Sequence, residues 1–312
     1  MKKGVRNTLI GFGVLILLAI SSGVFYVMSI LGKFDNVNLS EADLGINESI
    51  DSKHGSIENI ALFGVDAKDG GHGRSDSIMI LTLNGKENSI KLTSLMRDSY
   101  VAIDGHGNDK LNHAYAFGGP QLAINTINQN FDLNVKDFVT VNFDTLPAII
   151  DVLGGVEIDI KSDEISEVNR YIGYMNEENG RGSKPLTHTG LQVLDGNQAV
   201  GYSRVRFTSG GDYRRTQRHR TVLTALFNKF KDMSVLKVPT LVNEVAPMVQ
   251  TSLSTGDMVS LATSGLKAKG GIQQERFPQD NNSQSKMING IYYLSYNSEQ
   301  TKSDLHKWIF GE

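Results

Sequence analysis

From Thr8 to Leu31 the chain reads TLIGFGVLILLAISSGVFYVMSIL, 24 residues without a charge. A run of this length has one stable form in hydrocarbon, a helix whose backbone groups pair within the segment. As a helix it is long enough to cross a bilayer core of roughly 30 Å with some tilt. Lys2, Lys3 and Arg6 precede it and only Lys33 follows closely. The positive-inside bias therefore predicts residues 1–7 in the cytoplasm, a transmembrane helix over 8–31, and everything after it outside the cell. The competing reading is a cleaved signal peptide, with an apolar stretch of about 7 to 15 residues before a small-residue site such as Ala19-Ile20-Ser21. The length of the run favours an uncleaved anchor.

Beyond the anchor, residues 32–56 are polar and mildly acidic, with no aromatic after Phe34, and read as an extracellular linker. A domain is expected over 57–312. There strand-like runs (IALFGVD, SIMILTL, SIKLTSL, FVTVNF, GVEIDI) alternate with helical patterns around Pro120 to Phe131 and Thr145 to Leu153. Further helices are expected over Leu236 to Val249, over Thr255 to Lys267 and around Trp308, with a strand at IQQERF. The alternation predicts an α/β fold, a mixed central β-sheet flanked by helices on both faces. Residues 161–189 are polar, glycine-rich and poorly periodic, and read as a surface excursion. The chain has no cysteine, which excludes disulfides, thiolate metal sites and a thiol nucleophile.

Net charge is −3, yet residues 202–220, YSRVRFTSGGDYRRTQRHR, hold six arginines with Asp212 as their only acidic neighbour. Asp195 is placed to cap a short helix running to about Tyr202, after which Arg204 and Arg206, two apart, point the same way if the chain is extended. Gly210 and Gly211 allow a tight loop, and Asp212 is a candidate N-cap for a helix starting near Tyr213. Arg214, Arg215 and Arg218 then fall in its first turns, where the macrodipole favours acidic groups by roughly 0.3–1 kcal/mol each. Basic residues around a helix N-terminus make an anion site; the plainer alternative is a solvated basic face. Arg220, about 200° around the helix from Arg218, is expected to point away.

Two further clusters flank strand ends. LFGVD ends on Asp66, and GRSDSIMI sets Arg74 and Asp76 at the mouth of the next strand. Two carboxylates meeting there suit Mg²⁺ accompanied by phosphate oxygens, although each aspartate taken singly reads as a turn cap. SLMRDSYVAI places Arg97 and Asp98 just past a third strand, where ligands of open α/β sheets gather; a local surface salt bridge is the alternative.

Together with DKLNHAYAFGGP, VNFD, LGGV, LDGNQAVGYSRVRF and GDYRRTQRHR, these motifs resemble the LytR-CpsA-Psr family of cell-wall enzymes, in order and context, over roughly residues 57–231. Met96 stands where that pattern usually has proline and Arg214 where it often has glycine. The resemblance implies a membrane-anchored phosphotransferase that moves a glycopolymer from a polyprenyl-pyrophosphate carrier onto a peptidoglycan hydroxyl through a phosphodiester. It also implies that Asp66 and Asp76 hold Mg²⁺ and that Arg74, Arg97, Arg204, Arg206, Arg215 and Arg218 contact the pyrophosphate. Asp98 or Asp66 is the candidate for orienting or deprotonating the acceptor, so the catalytic set is Asp66, Arg97 and Asp98. Leu122, Ile124, Ile127 and Phe131, or Leu146, Ile149 and Ile150, are candidates for a prenyl pocket, against the plainer reading that they are core. A nucleic-acid partner is not expected, because the arginines lie outside the cell and no overall basic charge or helix-turn-helix supports one. A hydrolase using the same site and a non-catalytic wall-binding module are the rival readings.

Overall fold

The computed structural model describes residues 32–67, 73–205, 211–234, 237–268 and 270–312. The expected transmembrane helix over 8–31, and Arg206, lie outside them. Among the described residues no helix is long and apolar enough to cross a membrane.

A seven-stranded mixed sheet organises the chain, in the order β1 (Asp35–Asn36), β10 (Val249–Thr251), β7 (Asp137–Asn142), β2 (Ile57–Asp66), β3 (Arg74–Asn84), β4 (Ser89–Leu95) and β11 (Ile272–Phe277). β7 runs parallel to β2, β3 is antiparallel to both β2 and β4, and β11 is parallel to β4. As a result β2, β4, β7 and β11 all end, and β3 begins, at one edge. Side chains alternate across the sheet with period two. Ala61, Phe63, Ile78, Ile80, Leu95 and Phe138 face a core closed by α2 (Leu111–Phe131) and α9 (Ser298–Phe310), which add Ile124, Ile127, Phe131, Leu305 and Ile309. Each of these side chains except the small Ala61 contributes on the order of 1.5–3 kcal/mol by leaving water. α2 is broken at Gly118 and Gly119, and Gly119 has φ of 61°, a left-handed conformation that glycine adopts without strain.

The other face carries α6 (Gly211–Lys231), α7 (Val238–Val245) and α8 (Thr255–Lys267). A second core forms where the ribbon of β8 (Val156–Ile160) and β9 (Gly190–Leu194) meets α3 (Leu146–Val152), α4 (Ile165–Asn179) and α5 (Gly196–Arg204). Two more ribbons complete the chain, β5 (Tyr100–Ile103) with β6 (Gly107–Lys110) and β12 (Ser283–Ile288) with β13 (Ile291–Tyr296).

Three expectations change. Residues 32–56, expected as a linker, pack: β1 pairs with β10, α1 (Glu48–His54) stacks His54 on Phe310, and Leu44 is buried in the main core. The buried Asn128 amide donates to the Leu44 carbonyl at 2.8 Å, a tie from a residue far along the chain. The excursion over 161–189 contains the four-turn α4, because Val168, Ile172 and Met175 form a narrow apolar stripe on an otherwise polar helix. Asp212 lies inside the first turn of α6 rather than ahead of it.

Candidate active site

The strand-end edge assembles the site. Asp66 and Arg74 face each other as the last cross-strand pair of β2 and β3. One step inward, Gly64 pairs with Ser77 and Val65 with Ser75, so Asp76 is the extra residue of a β-bulge and leaves the ladder. A bulge re-aims its side chain. Asp76 Oδ1 accepts from Arg97 Nη1 at 2.5 Å and from Asn112 Nδ2 at 3.3 Å. Arg97 and Asp98 sit in a clamped turn after β4: the Met96 N–H donates to the Phe277 carbonyl at 2.8 Å and the Asn112 N–H to the Arg97 carbonyl at 3.1 Å.

Arg97 is the hub. Its guanidinium also lies 3.4 Å from Asp98 and 3.5 Å from Asp212, and Asp212 lies 2.7 Å from Arg215. Burial works against the charge of Arg97, but Asp76, Asp212 and Asp98 hold its pKa above the ordinary arginine value. Lys110 holds the other oxygen of Asp98 at 2.8 Å. The edge thus brings together Asp66, Arg74, Asp76, Arg97, Asp98, Asp212 and Arg215, and of these Asp66 and Arg74 are the exposed pair.

Two of the expected anion contacts are engaged elsewhere. Arg204 ends α5, 3.2 Å from Glu178 and 3.9 Å from Asp144. Arg218 is buried, its Nε and Nη2 each 3.0 Å from Oε1 of the buried Glu164 and its Nη1 donating to the Val205 carbonyl at 3.0 Å. Arg214 lies 2.8 Å from Asp163. Carboxylates from neighbouring elements thus offset the unfavourable arginines at the start of α6. Arg220 does point away from Arg218, but inward: it is buried, donates to Ser94 Oγ at 2.9 Å, and burial pulls its pKa down to about 10.

Beneath the edge lies an apolar cavity under α6, α7 and α8. Its head, about 190 Å³, is lined by Gly64, Ser77, Phe143 and His219. Gly64 is required there, since a Cβ would stand 2.9 Å from Ser77 Cβ and 3.0 Å from the Phe143 ring. The middle, about 340 Å³, lies over Leu62, Leu81 and Leu92, and the far end, about 440 Å³, over Leu83, Ile90 and Val259. These spaces share walls, Leu62 and Leu226 between the first two and Leu81 and Phe227 between the last two. From Ser77 to Leu83 the strand rises roughly 20 Å. His219 stands between head and charged edge; burial, then Arg215, drive its pKa down to about 3, so it is neutral.

Of the expected prenyl-pocket residues, Leu146 and Ile149 line this cavity, Ile150 belongs to the second core, and Leu122, Ile124, Ile127 and Phe131 belong to the main core. The sequence reading did not find the parts played by Asn112, Lys110, Asp212 and His219. The motif DKLNH, quoted for the resemblance, holds the first two. Among the described residues no group of three or more carboxylate or histidine side chains is placed to hold a metal ion. Besides Asp66 and Asp76 the edge offers Asp212 Oδ2 and Asn112 Oδ1, buried oxygens without a hydrogen-bond partner.

The site is thus a mixed α/β sheet whose arginine–carboxylate edge stands beside a run of adjoining apolar pockets, the enclosed and mostly apolar kind of space in which small molecules bind. The chain belongs to the LytR_cpsA_psr family, which it matches over residues 29–307. It is 33% identical over 246 residues to the polyisoprenyl-teichoic acid–peptidoglycan teichoic acid transferase TagU of Halalkalibacterium halodurans, covering 78% of this chain and 75% of that one. It is 31% identical over 275 residues to TagU of Bacillus subtilis, covering 84% and 83%. Among solved structures it resembles the LytR-CPS2A-psr family protein YwtF (TagT) with bound octaprenyl pyrophosphate lipid, with 27% identity and a TM-score of 0.62, covering 82% of this chain and 91% of that one.

Proposed function

We propose that this chain is a membrane-anchored phosphotransferase that moves a glycopolymer from a polyprenyl-pyrophosphate carrier to a peptidoglycan hydroxyl. The observation that carries the reading is the junction at Ser77, Phe143 and His219, where the charged edge meets the cavity. A polyprenyl tail fits the cavity; a pyrophosphate fits the edge. The relatives' names supply the same donor and acceptor classes, and the relative that holds octaprenyl pyrophosphate supplies the lipid.

In this reading Arg97, Arg74 and Arg215 bind the pyrophosphate, while Arg204 and Arg218 shape the cleft through their own carboxylates. Arg97 is pre-oriented by three carboxylates, so little reorganisation is needed as charge develops on the phosphoryl oxygens. Asp66 and Asp76, with the oxygens of Asn112 and Asp212 beside them, would hold Mg²⁺, which when bound neutralises pyrophosphate charge. The acceptor hydroxyl oxygen attacks the phosphorus bearing the glycan, the P–O–P bond breaks, and polyprenyl phosphate leaves. The hydroxyl proton passes to a carboxylate of the edge. The two candidates are Asp66, which is exposed, and Asp98, which has one oxygen engaged by Lys110 and the other against Arg97. Neutral His219 separates the charged head from the apolar tail without adding a competing cation. The segment 8–31 anchors the chain, with the domain outside the cell. Teichoic acid, capsular polysaccharide and other wall glycans present the same linkage to this edge.

The test is product analysis. The full chain in detergent, given a defined prenyl-pyrophosphate glycan, Mg²⁺ and a peptidoglycan oligomer, should yield a mass adduct of glycan phosphate on the oligomer. Release of glycan phosphate to water alone makes the chain a hydrolase, and no turnover with retained binding makes it a wall-binding module.

A further inference from the structure

We propose that the outer face of the β12–β13 hairpin, centred on Tyr292, is the shelf on which the acceptor saccharide lies. This rests on the transferase reading and names the substrate class that reaches Asp98 from outside. The hairpin turns on Asn289 and Gly290, both at positive φ, and leaves Tyr292 41% exposed. It pairs with no strand of the main sheet, yet Tyr296 stacks on Phe131 of the main core and the hairpin is fastened to the turn that holds Asp98. The Leu294 N–H donates to the Asp98 carbonyl at 2.8 Å, and Leu294 pairs with Ser99. The Lys110 ammonium, which grips Asp98, lies 5.7 Å from the ring centroids of both Tyr292 and Tyr293. The shelf and the reacting centre therefore share a lysine.

Chemistry and direction select the occupant. A pyranose presents an apolar C–H face, which lies flat on an aromatic ring, and a rim of hydroxyls, which need donors and acceptors close by. The Tyr292 ring and the Lys110–Asp98 pair supply the two. In-line displacement requires the attacking oxygen opposite the leaving polyprenyl phosphate. The cavity lies on the α6 face of the sheet. The hairpin instead joins the β5–β6 ribbon, where Tyr100 meets Tyr293 edge-on at 5.0 Å, and that ribbon leads into α2 on the opposite face. An entering hydroxyl held on the shelf thus comes from the side away from the lipid.

The experiment compares wild type, Tyr292→Ala and Tyr292→Trp as full chains in detergent, at matched melting temperature. It measures the KM for a muramyl tetrasaccharide in transfer, calorimetric binding of the same tetrasaccharide alone, and affinity for octaprenyl pyrophosphate. Losing one stacking ring should raise the tetrasaccharide KM and Kd about tenfold. Tryptophan should restore both, and octaprenyl pyrophosphate affinity should stay put. An unchanged tetrasaccharide KM and Kd in Tyr292→Ala overturns the shelf and leaves the transferase reading standing. Tetrasaccharide binding that depends on Tyr292, with no transfer by wild type, supports the shelf and sinks the transferase reading. Loss of binding to phosphatidylglycerol vesicles with saccharide affinity intact assigns the face to the membrane surface and overturns the proposal.

Discussion

Replacing Glu164 by alanine should destabilise the domain without touching pyrophosphate binding. The Arg218 and Glu164 side chains are 2% and 4% exposed, and two guanidinium nitrogens share one carboxylate oxygen at 3.0 Å. Removing one member of a buried pair strands the other charge, which costs about 3–5 kcal/mol. Arg218 keeps its bond to the Val205 carbonyl, so the lower end, about 3 kcal/mol, is expected. At roughly 2–4 °C per kcal/mol for a domain of this size, the melting temperature should fall by about 6–12 °C. Below the transition, calorimetric affinity for octaprenyl pyrophosphate should match wild type. The double variant Glu164→Leu, Arg218→Met should recover most of the loss, since an apolar pair leaves no buried charge. If Arg218→Met melts like wild type yet loses octaprenyl pyrophosphate, the arginine grips the ligand and the structural assignment fails.

Asp76→Ala should abolish the Mg²⁺ dependence of turnover while shifting the melt little; unchanged Mg²⁺ dependence in the folded variant removes Asp76 from the proposed ion site. Leu81→Trp should fill the waist of the cavity and weaken octaprenyl pyrophosphate binding at least tenfold with the melt held or raised, and retained affinity would place the lipid elsewhere. His219, with its folded pKa lowered to about 3 against about 6.5 unfolded, binds a proton only in the unfolded chain between those values. Its effect is nil above pH about 6.5, and stability falls with pH below that by up to about 1.4 kcal/mol per unit; His219→Gln should flatten this slope in pH-dependent melts. Protease added to wall-stripped cells should degrade the chain beyond Lys33, and protection would contradict the outward orientation.

The strand ends were legible because apolar runs there stop at aspartate or arginine, and the same punctuation placed Asp66, Asp76 and Arg97 at one edge. The burial of Leu44 was not legible, since it depends on Asn128 arriving from α2. Nor could spacing alone separate Arg215, which joins the edge through Asp212, from Arg218, whose partner Glu164 precedes α4. Leu62, Leu81 and Phe227 stand in apolar runs whose pattern is the same for core and for cavity wall; that they line empty space is a property of how far α6 and α8 stand off the sheet. The Asn289-Gly290 turn was an available signal for the β12–β13 hairpin and went unread.

Because Asp76 is a one-residue addition to β3, the two halves of the strand are set independently. Beyond it Ser77, Met79, Leu81 and Leu83 keep their cavity-facing order through pairing with β2 and β4, whatever stands at position 76. The charged edge and the apolar cavity are therefore separable: deleting Asp76 would restore an unbroken ladder and keep the cavity while removing one carboxylate from its rim. Substitution at the bulge can thus alter the charged edge while leaving the order of the cavity-facing side chains in place.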